Sequence, residues 1–210
     1  MSKQIKRKMP ARIRRALRPI ASAINYYRTS PNHKQLRMQI TKIEDLPDKT
    51  PLPGYSTRTY RKGDDASWIN ILQEAFGEKL MEPPEKILNE ILKKPDFDPE
   101  SFLLAIFEDE PVGTVVALTV PVGETKVGYI NLLSVVPTHQ GKRLGKVLTL
   151  EALRYFKRKG LESVLLDTDD FRLGAIKTYL DLGFKPVYIN REHKKRWAAI
   201  LKELQSSKRE

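Results

Sequence analysis

The sequence predicts an α/β sandwich on a mixed central sheet, and three observations carry that prediction. Between residues 54 and 204, strand-like and helix-like periodicities follow the order β-α-α-β-β-β-α-β-α-β-α, which calls for helices packed on a sheet. Apolar residues make up 40% of the 210, enough for one domain with an appendage. A long apolar strand ending Val135-Val136-Pro137 runs through the Gly-rich, cationic turn Gln140-Gly141-Lys142-Arg143-Leu144-Gly145-Lys146 into a helix. Junctions of that kind hold phosphate.

Residues 1–53 read as a basic arm followed by a Pro-rich linker. Residues 1–42 hold 12 Lys/Arg and no acid, while residues 43–210 hold 26 of each sign, so the arm carries the whole net charge of +12. Ile13, Leu17, Ile20, Ile24 and Tyr27 recur at helical spacing among those cations, interrupted by Pro19. This pattern fits contact with an anionic membrane surface or RNA through residues 1–42. A solvated basic tail fits it equally. Pro31, Pro47, Pro51 and Pro53 mark the linker, within which Leu36, Met38 and Ile40 alternate as in a strand.

The body opens with a strand, Tyr55–Arg61. Asp64 and Asp65 then start a helix that turns Trp68, Ile69, Leu72, Ala75 and Phe76 inward and ends at Gly77. A second helix, Pro84–Lys94, groups Ile87, Leu88, Ile91 and Leu92. Ser101–Phe107 and Val112–Val120, joined by the acidic turn Glu108-Asp109-Glu110-Pro111, read as an antiparallel hairpin, and Val127–Val136 is the long apolar strand. The helix Lys142–Lys159 presents Leu144, Val147, Leu148, Ala152 and Phe156 to a core, and Gly160 closes it. Ser163–Asp167 is a short strand, Phe171–Leu182 a helix stopped by Gly183, and Phe184–Ile189 a last strand. Arg191–Leu204 is a charged helix with Trp197, Ile200 and Leu204 on one side, and residues 191–210 form a C-terminal helix and tail.

Several classes drop out. No apolar run approaches 18 residues, so no membrane-spanning helix is expected. With no cysteine there is no disulfide, thiolate metal site or cysteine nucleophile, which fits a reducing cytoplasm. His33, His139 and His193 lack metal-ligand spacing, so no metal is expected. No apolar stretch follows the N-terminal charges, so no secretory signal is expected, although an Arg-rich, acid-free start also resembles a mitochondrial presequence.

Chemistry concentrates in two segments. In Gln140–Lys146, unpaired N–H groups converge at a helix N-terminus whose dipole favours an anion. Gly141 and Gly145 allow close approach, while Lys142, Arg143 and Lys146 add counter-charge. An ordinary strand–turn–helix with solvated lysines also accounts for that turn. In Gly174–Phe184, Ala175, Tyr179 and Leu182 share roughly one helical face, so Tyr179 points toward the sheet. A phenol there can donate a proton to a departing thiolate, its pKa being about 10. A plain core tyrosine is the alternative.

Taken together, the two segments resemble the GCN5-related N-acetyltransferase (GNAT) family. Gln140-Gly141-Lys142-Arg143-Leu144-Gly145 is similar to its motif A, and Ala175, Tyr179 and Gly183-Phe184 to its motif B. The similarity covers residues 54–190. Pro53-Gly54-Tyr55, Gly63-Asp64, Thr168-Asp169-Asp170-Phe171-Arg172 and Arg196-Trp197 look most like the mycothiol synthase-like branch, whose enzyme carries two such domains where this chain has room for one. Arg143 stands where the middle glycine usually lies, and Arg172 where an asparagine often lies.

The resemblance implies a mixed, mostly antiparallel sheet and direct acetyl transfer from acetyl-CoA to an amine of a small-molecule or peptide acceptor. It implies that backbone near Leu133 and Val135 holds the pantetheine, that Gln140–Lys146 cradle the pyrophosphate, and that Arg172 touches the cofactor. Tyr179 becomes the general acid. On the central strand the inward positions are Tyr129 and Asn131, neither a strong base, which leaves Glu74 or a water chain. The acceptor wall falls at the first two helices and their connection Gly77–Pro84. The family's usual final strand has no counterpart, because Arg191 onward reads as helix. A reading from another class is a non-catalytic acyl-CoA-binding or interaction module carried to lipid or RNA by its arm.

Overall fold

The computed structural model describes residues 35–43, 46–48, 52–80, 82–122 and 125–206. In chain order the elements are β1 (Leu36–Ile40), β2 (Tyr55–Thr59), α1 (Asp65–Phe76), α2 (Pro84–Leu92), β3 (Phe102–Phe107), β4 (Glu110–Val122) and β5 (Thr125–Val135). Then come α3 (Leu144–Arg158), β6 (Val164–Thr168), α4 (Leu173–Asp181), β7 (Lys185–Val187) and α5 (Arg191–Ser206). The helical stripe expected over Ile13–Tyr27 lies outside the described residues.

Seven strands form one sheet in the order β2-β3-β4-β5-β6-β1-β7. All neighbours are antiparallel except β5 and β6, which α3 joins as a parallel crossover. The expected acidic hairpin is present. Glu108 and Asp109, with φ of 47° and 70°, supply the two left-handed residues of a tight turn between Phe107 and Glu110.

Strand alternation sorts side chains to the two faces. Phe102, Leu104, Ile106 and Val116 pack with Trp68 and Leu72 of α1 and Leu88 and Ile91 of α2. Leu103, Ala105, Val115, Ala117 and Ile130 belong to the larger core with Leu148, Leu153 and Phe156 of α3, Ile176 of α4, and Trp197 and Ile200 of α5. The C-terminal helix is therefore part of the packed body. Gly128 sets how closely α3 approaches β5: a Cβ there would lie 2.8 Å from the fully buried Phe156 ring.

The segment read as linker contains a sheet strand. Leu36–Ile40 pairs along its whole length with β6 on one side, and through Arg37–Gln39 with β7 on the other. Leu36 and Met38 are completely buried. A strand from the N-terminal side of the body thus fills the interior slot beside β7, where no later strand was found. Without it, β6 and β7 would each present an unpaired edge. Sheet residues consequently extend ahead of Gly54, the point at which the sequence places the start of the body.

Candidate active site

β5 and β6 pair only from Gly128 to Ile130 and from Val164 to Leu166. Beyond that, β6 continues beside β1, while β5 bends away. The bend has a local cause: Thr114 pairs with Ser134 and Val116 with Asn131, so three steps on β5 oppose two on β4. Such a bulge increases local twist. Leu132 takes the left-handed φ of 51°, and Ser134 Oγ donates to its carbonyl at 3.1 Å. Val136 N–H donates across to Val112. Alternation therefore directs the backbone groups of Val135, and of Leu133 two residues earlier, into the opening between the strands. Gln140 Nε2 donates to the Val135 carbonyl at 3.0 Å.

The turn after β5 builds an uncapped helix end. Gly141 has φ 75° and Arg143 φ 60° with ψ 14°, so both are left-handed. Helix α3 accordingly begins at Leu144 rather than at Lys142. Its first intrahelical bond is donated by the Val147 N–H to the Arg143 carbonyl, no side chain caps it, and no acid lies in its first turn. The N–H groups of Leu144, Gly145 and Lys146 are left to an external acceptor. Nothing lies within 4 Å of a Cβ built on Gly145, so a ligand can rest against that backbone.

The predicted side chains here divide by role. Leu144 is buried in the core and offers only its N–H. Lys142 Nζ donates to the Thr138 carbonyl at 2.9 Å, and Gln140 is engaged with Val135, so both side chains staple the turn. The Tyr55 hydroxyl and His139 Nδ1 are hydrogen-bonded at 2.7 Å, holding the same turn against β2. Arg143 and Lys146 instead line a groove of about 410 Å³ together with Lys177, Thr178 and Asp181 of α4. Sequence reasoning missed the last three, although they lie on the helix that carries Tyr179.

Tyr179 is buried in the same core as Leu133 and Val135, edge-on to Phe184 at 5.9 Å. Among the described residues its hydroxyl has no hydrogen-bond partner. Burial pushes its pKa up to about 12, and the nearby Arg172 guanidinium opposes part of that rise. Arg172 sits at the start of α4. Its Nε is 3.3 Å from Asp169 Oδ2, too oblique for a hydrogen bond, and its guanidinium lies 4.9 Å above the Phe76 ring. This contact ties α4 to the end of α1. Asp170 is ion-paired with Arg196 of α5, which holds its carboxyl below the ordinary range. Two separate sequence segments, Thr168–Arg172 and Arg196-Trp197, thereby meet in space.

The base candidates fare differently. Tyr129 donates to Asp167 Oδ2 at 3.1 Å, and Arg37 grips both oxygens of that carboxylate at 2.8 Å. Asn131 lies half-buried in the bulge. Glu74 is exposed on α1 and accepts from Asn70 at 2.7 Å. Asp167 was missed because it stands on the neighbouring strand and not the central one. At the α1–α2 connection, a second cavity of about 310 Å³ is lined by Gln73, Gly77, Leu80, Glu82, Pro83 and Pro84.

A bulged strand splayed from its parallel neighbour opens a cleft beside an uncapped helix N-terminus, in a sheet of the acetyltransferase type. The sequence pattern of the acetyltransferase (GNAT) family matches residues 66–184, and the chain belongs to that family. The mycothiol acetyltransferase of Streptomyces coelicolor is 33% identical over 154 residues, covering 72% of this chain and 49% of the relative. That of Sanguibacter keddieii is 35% identical over 161 residues, covering 72% and 50%. The chain spans about half the length of these curated relatives. A GCN5-related N-acetyltransferase from Sphaerobacter thermophilus superposes with a TM-score of 0.59 at 26% identity, over 80% of this chain and 54% of that one. An aminoglycoside N-acetyltransferase solved with CoA shares the fold, with a TM-score of 0.53 at 17% identity over 70% of this chain and 99% of that one.

Proposed function

We propose that this chain transfers an acetyl group directly from acetyl-CoA to the amine of a small-molecule acceptor. The observation that carries the proposal is the splay of β5 from β6 beside the free N–H groups of Leu144, Gly145 and Lys146. One end of that cleft offers donors for a pyrophosphate, and the other offers strand backbone at Val135 and Leu133 for an amide-bearing arm. Acetyl-CoA supplies both groups together with an activated thioester. Arg172, at the N-terminus of α4, stacks on Phe76 at the end of α1, and its contact with the cofactor is part of this proposal.

In the transfer, a nitrogen–carbon bond forms, the carbon–sulfur bond breaks, and the amine gives up a proton while the sulfur gains one. Tyr179 is the residue assigned to the sulfur. Its phenol is held protonated by burial, with a pKa pushed up to about 12. Full donation to an ordinary thiolate, of pKa about 8.5, therefore runs uphill by about 3.5 units. Hydrogen bonding to the developing thiolate is the role that fits, and it refines the general-acid reading. The cavity at Gln73–Pro84 is assigned to the acceptor end; its one acid, Glu82, is already paired with Lys86 at 2.7 Å, so an acceptor amine would have to share that carboxylate.

Isothermal titration with acetyl-CoA tests the donor half; no binding at about 100 µM ends the proposal. Turnover is then screened against polyamines, aminoglycosides, amino acids and peptide N-termini. The relatives named above add a mycothiol-type amine to that panel, and none of them favours the non-catalytic alternative.

A further inference from the structure

We propose that the sheet rim at the ends of β6 and β7 is a docking surface for an anionic lipid bilayer, used together with the basic arm. Neither half of the acetyl-transfer chemistry depends on it.

Thr168 stands opposite Leu36, and Val187 opposite Arg37, so β6 and β7 end, and β1 begins, at one rim of the sheet. Phe171 follows β6 there, and Tyr188 and Ile189 follow β7. These three are 62%, 56% and 38% exposed, and they are three of the five large apolar side chains exposed among the described residues. Exposed apolar side chains scattered singly need no explanation, but a group of them at one rim marks a contact surface.

The rim is also basic. Arg191, Lys194 and Lys195 stand exposed at the start of α5, directly after Ile189, and none of the three is ion-paired among the described residues. Glu192 is the exposed acid beside them. In the loop after β6 the carboxylates are engaged: Asp170 is paired with Arg196, while Asp169 lies 3.3 Å from Arg172 and accepts from Gln35. Gln35 is also where the arm joins the body, and residues 1–34 hold 10 Lys/Arg and no acid. Aromatic and aliphatic side chains set among unpaired cations suit anionic headgroups lying over hydrocarbon.

RNA offers similar phosphate charge, but it rewards aromatic stacking and not aliphatic surface. Ile189, and Ile13, Leu17, Ile20 and Ile24 of the arm, favour hydrocarbon instead. β5 and β6 stop pairing at Ile130 and Leu166, just short of the same rim, so docking here brings the cleft to the lipid surface.

The full chain is floated with vesicles of phosphatidylcholine alone or with about 30% phosphatidylserine, at low salt and at about 0.5 M. Binding should require the anionic lipid and fade in salt. Tyr188→Ser/Ile189→Ser should weaken it about 5- to 30-fold, and Lys194→Glu/Lys195→Glu about 10- to 100-fold. All four positions are exposed, so thermal unfolding should match the parent. Trp68 and Trp197 are completely buried, so Tyr188→Trp adds an exposed reporter. Its emission should shift to the blue on anionic vesicles and be quenched by brominated acyl chains. No vesicle binding by the full chain overturns the assignment. Binding that neither double variant weakens places it in the arm alone and overturns the rim, as does an unshifted reporter. Preference for a single-stranded RNA over the vesicles, lost in the same variants, overturns the lipid assignment in favour of nucleic acid.

Discussion

Leu36 stands directly opposite Thr168 in the antiparallel pairing of β1 with β6. The consequence is a sharp limit on what can be removed from the N-terminus. Burying Leu36, Met38 and Ile40 contributes about 5–9 kcal/mol in all, comparable to the whole stability of a small domain. Deletion of residues 1–34 should preserve a cooperative thermal transition, and deletion of residues 1–42 should abolish it.

The shorter deletion also tests the arm. Gln35 Nε2 donates to Asp169 Oδ1 at 3.2 Å, so the arm joins the body at the loop leading into α4. If residues 1–34 carry an anionic partner, their removal should eliminate binding to anionic vesicles or RNA that weakens between low and physiological salt. A signal that is unchanged by deletion and insensitive to salt reduces the arm to a tail.

Gly128 and Phe156 determine the seating of α3 on β5. With a Cβ 2.8–2.9 Å from three ring atoms of a fully buried phenylalanine, Gly128→Ala should cost about 1–3 kcal/mol in chemical denaturation. Adding Phe156→Leu should recover part of the loss. A fully additive double mutant would show that the two positions do not share the strain.

Arg143 separates backbone from charge. Its left-handed conformation costs a non-glycine residue about 1–2 kcal/mol, while glycine loses about 0.5–1 kcal/mol in extra chain entropy. Arg143→Gly should therefore leave stability within about 1 kcal/mol, whereas acetyl-CoA affinity should fall severalfold through loss of a groove cation. Thermal unfolding and calorimetry on the same preparation check the two halves.

The left-handed Arg143 also shows where sequence reading stops. The turn, the long strand before it and the helix after it are local features, and periodicity and glycine placement delineate them to within a residue or two. The inward aim of Tyr179 follows from helical spacing alone. By contrast, alternation at Leu36, Met38 and Ile40 announces a strand without saying that its partners lie some 130 residues away. The Arg37–Asp167 clamp on Tyr129 depends on that same pairing. Lys177 comes to line the groove with Arg143 and Lys146 only once α4 is laid beside the N-terminus of α3. Each of these features is set by packing between elements distant in sequence, which no local pattern encodes.

Tyr179 ties stability at high pH to turnover. Its folded pKa is raised to about 12 from an unfolded value near 10, so folding favours the protonated phenol. That contribution is fully present below pH 10 and is lost as the pH rises from 10 to 12, for a total of about 3 kcal/mol. Tyr60, also pushed up to about 12 by burial and by Asp65, and Tyr155, raised by burial and Asp98, add to the same alkaline limb. Tyr179→Phe should flatten the limb without removing it. The same variant should lower turnover about 10- to 100-fold, the value of one hydrogen bond to a developing charge, while acetyl-CoA affinity stays within about threefold. Matching losses in turnover and affinity would place Tyr179 in cofactor binding and take it out of the chemical step.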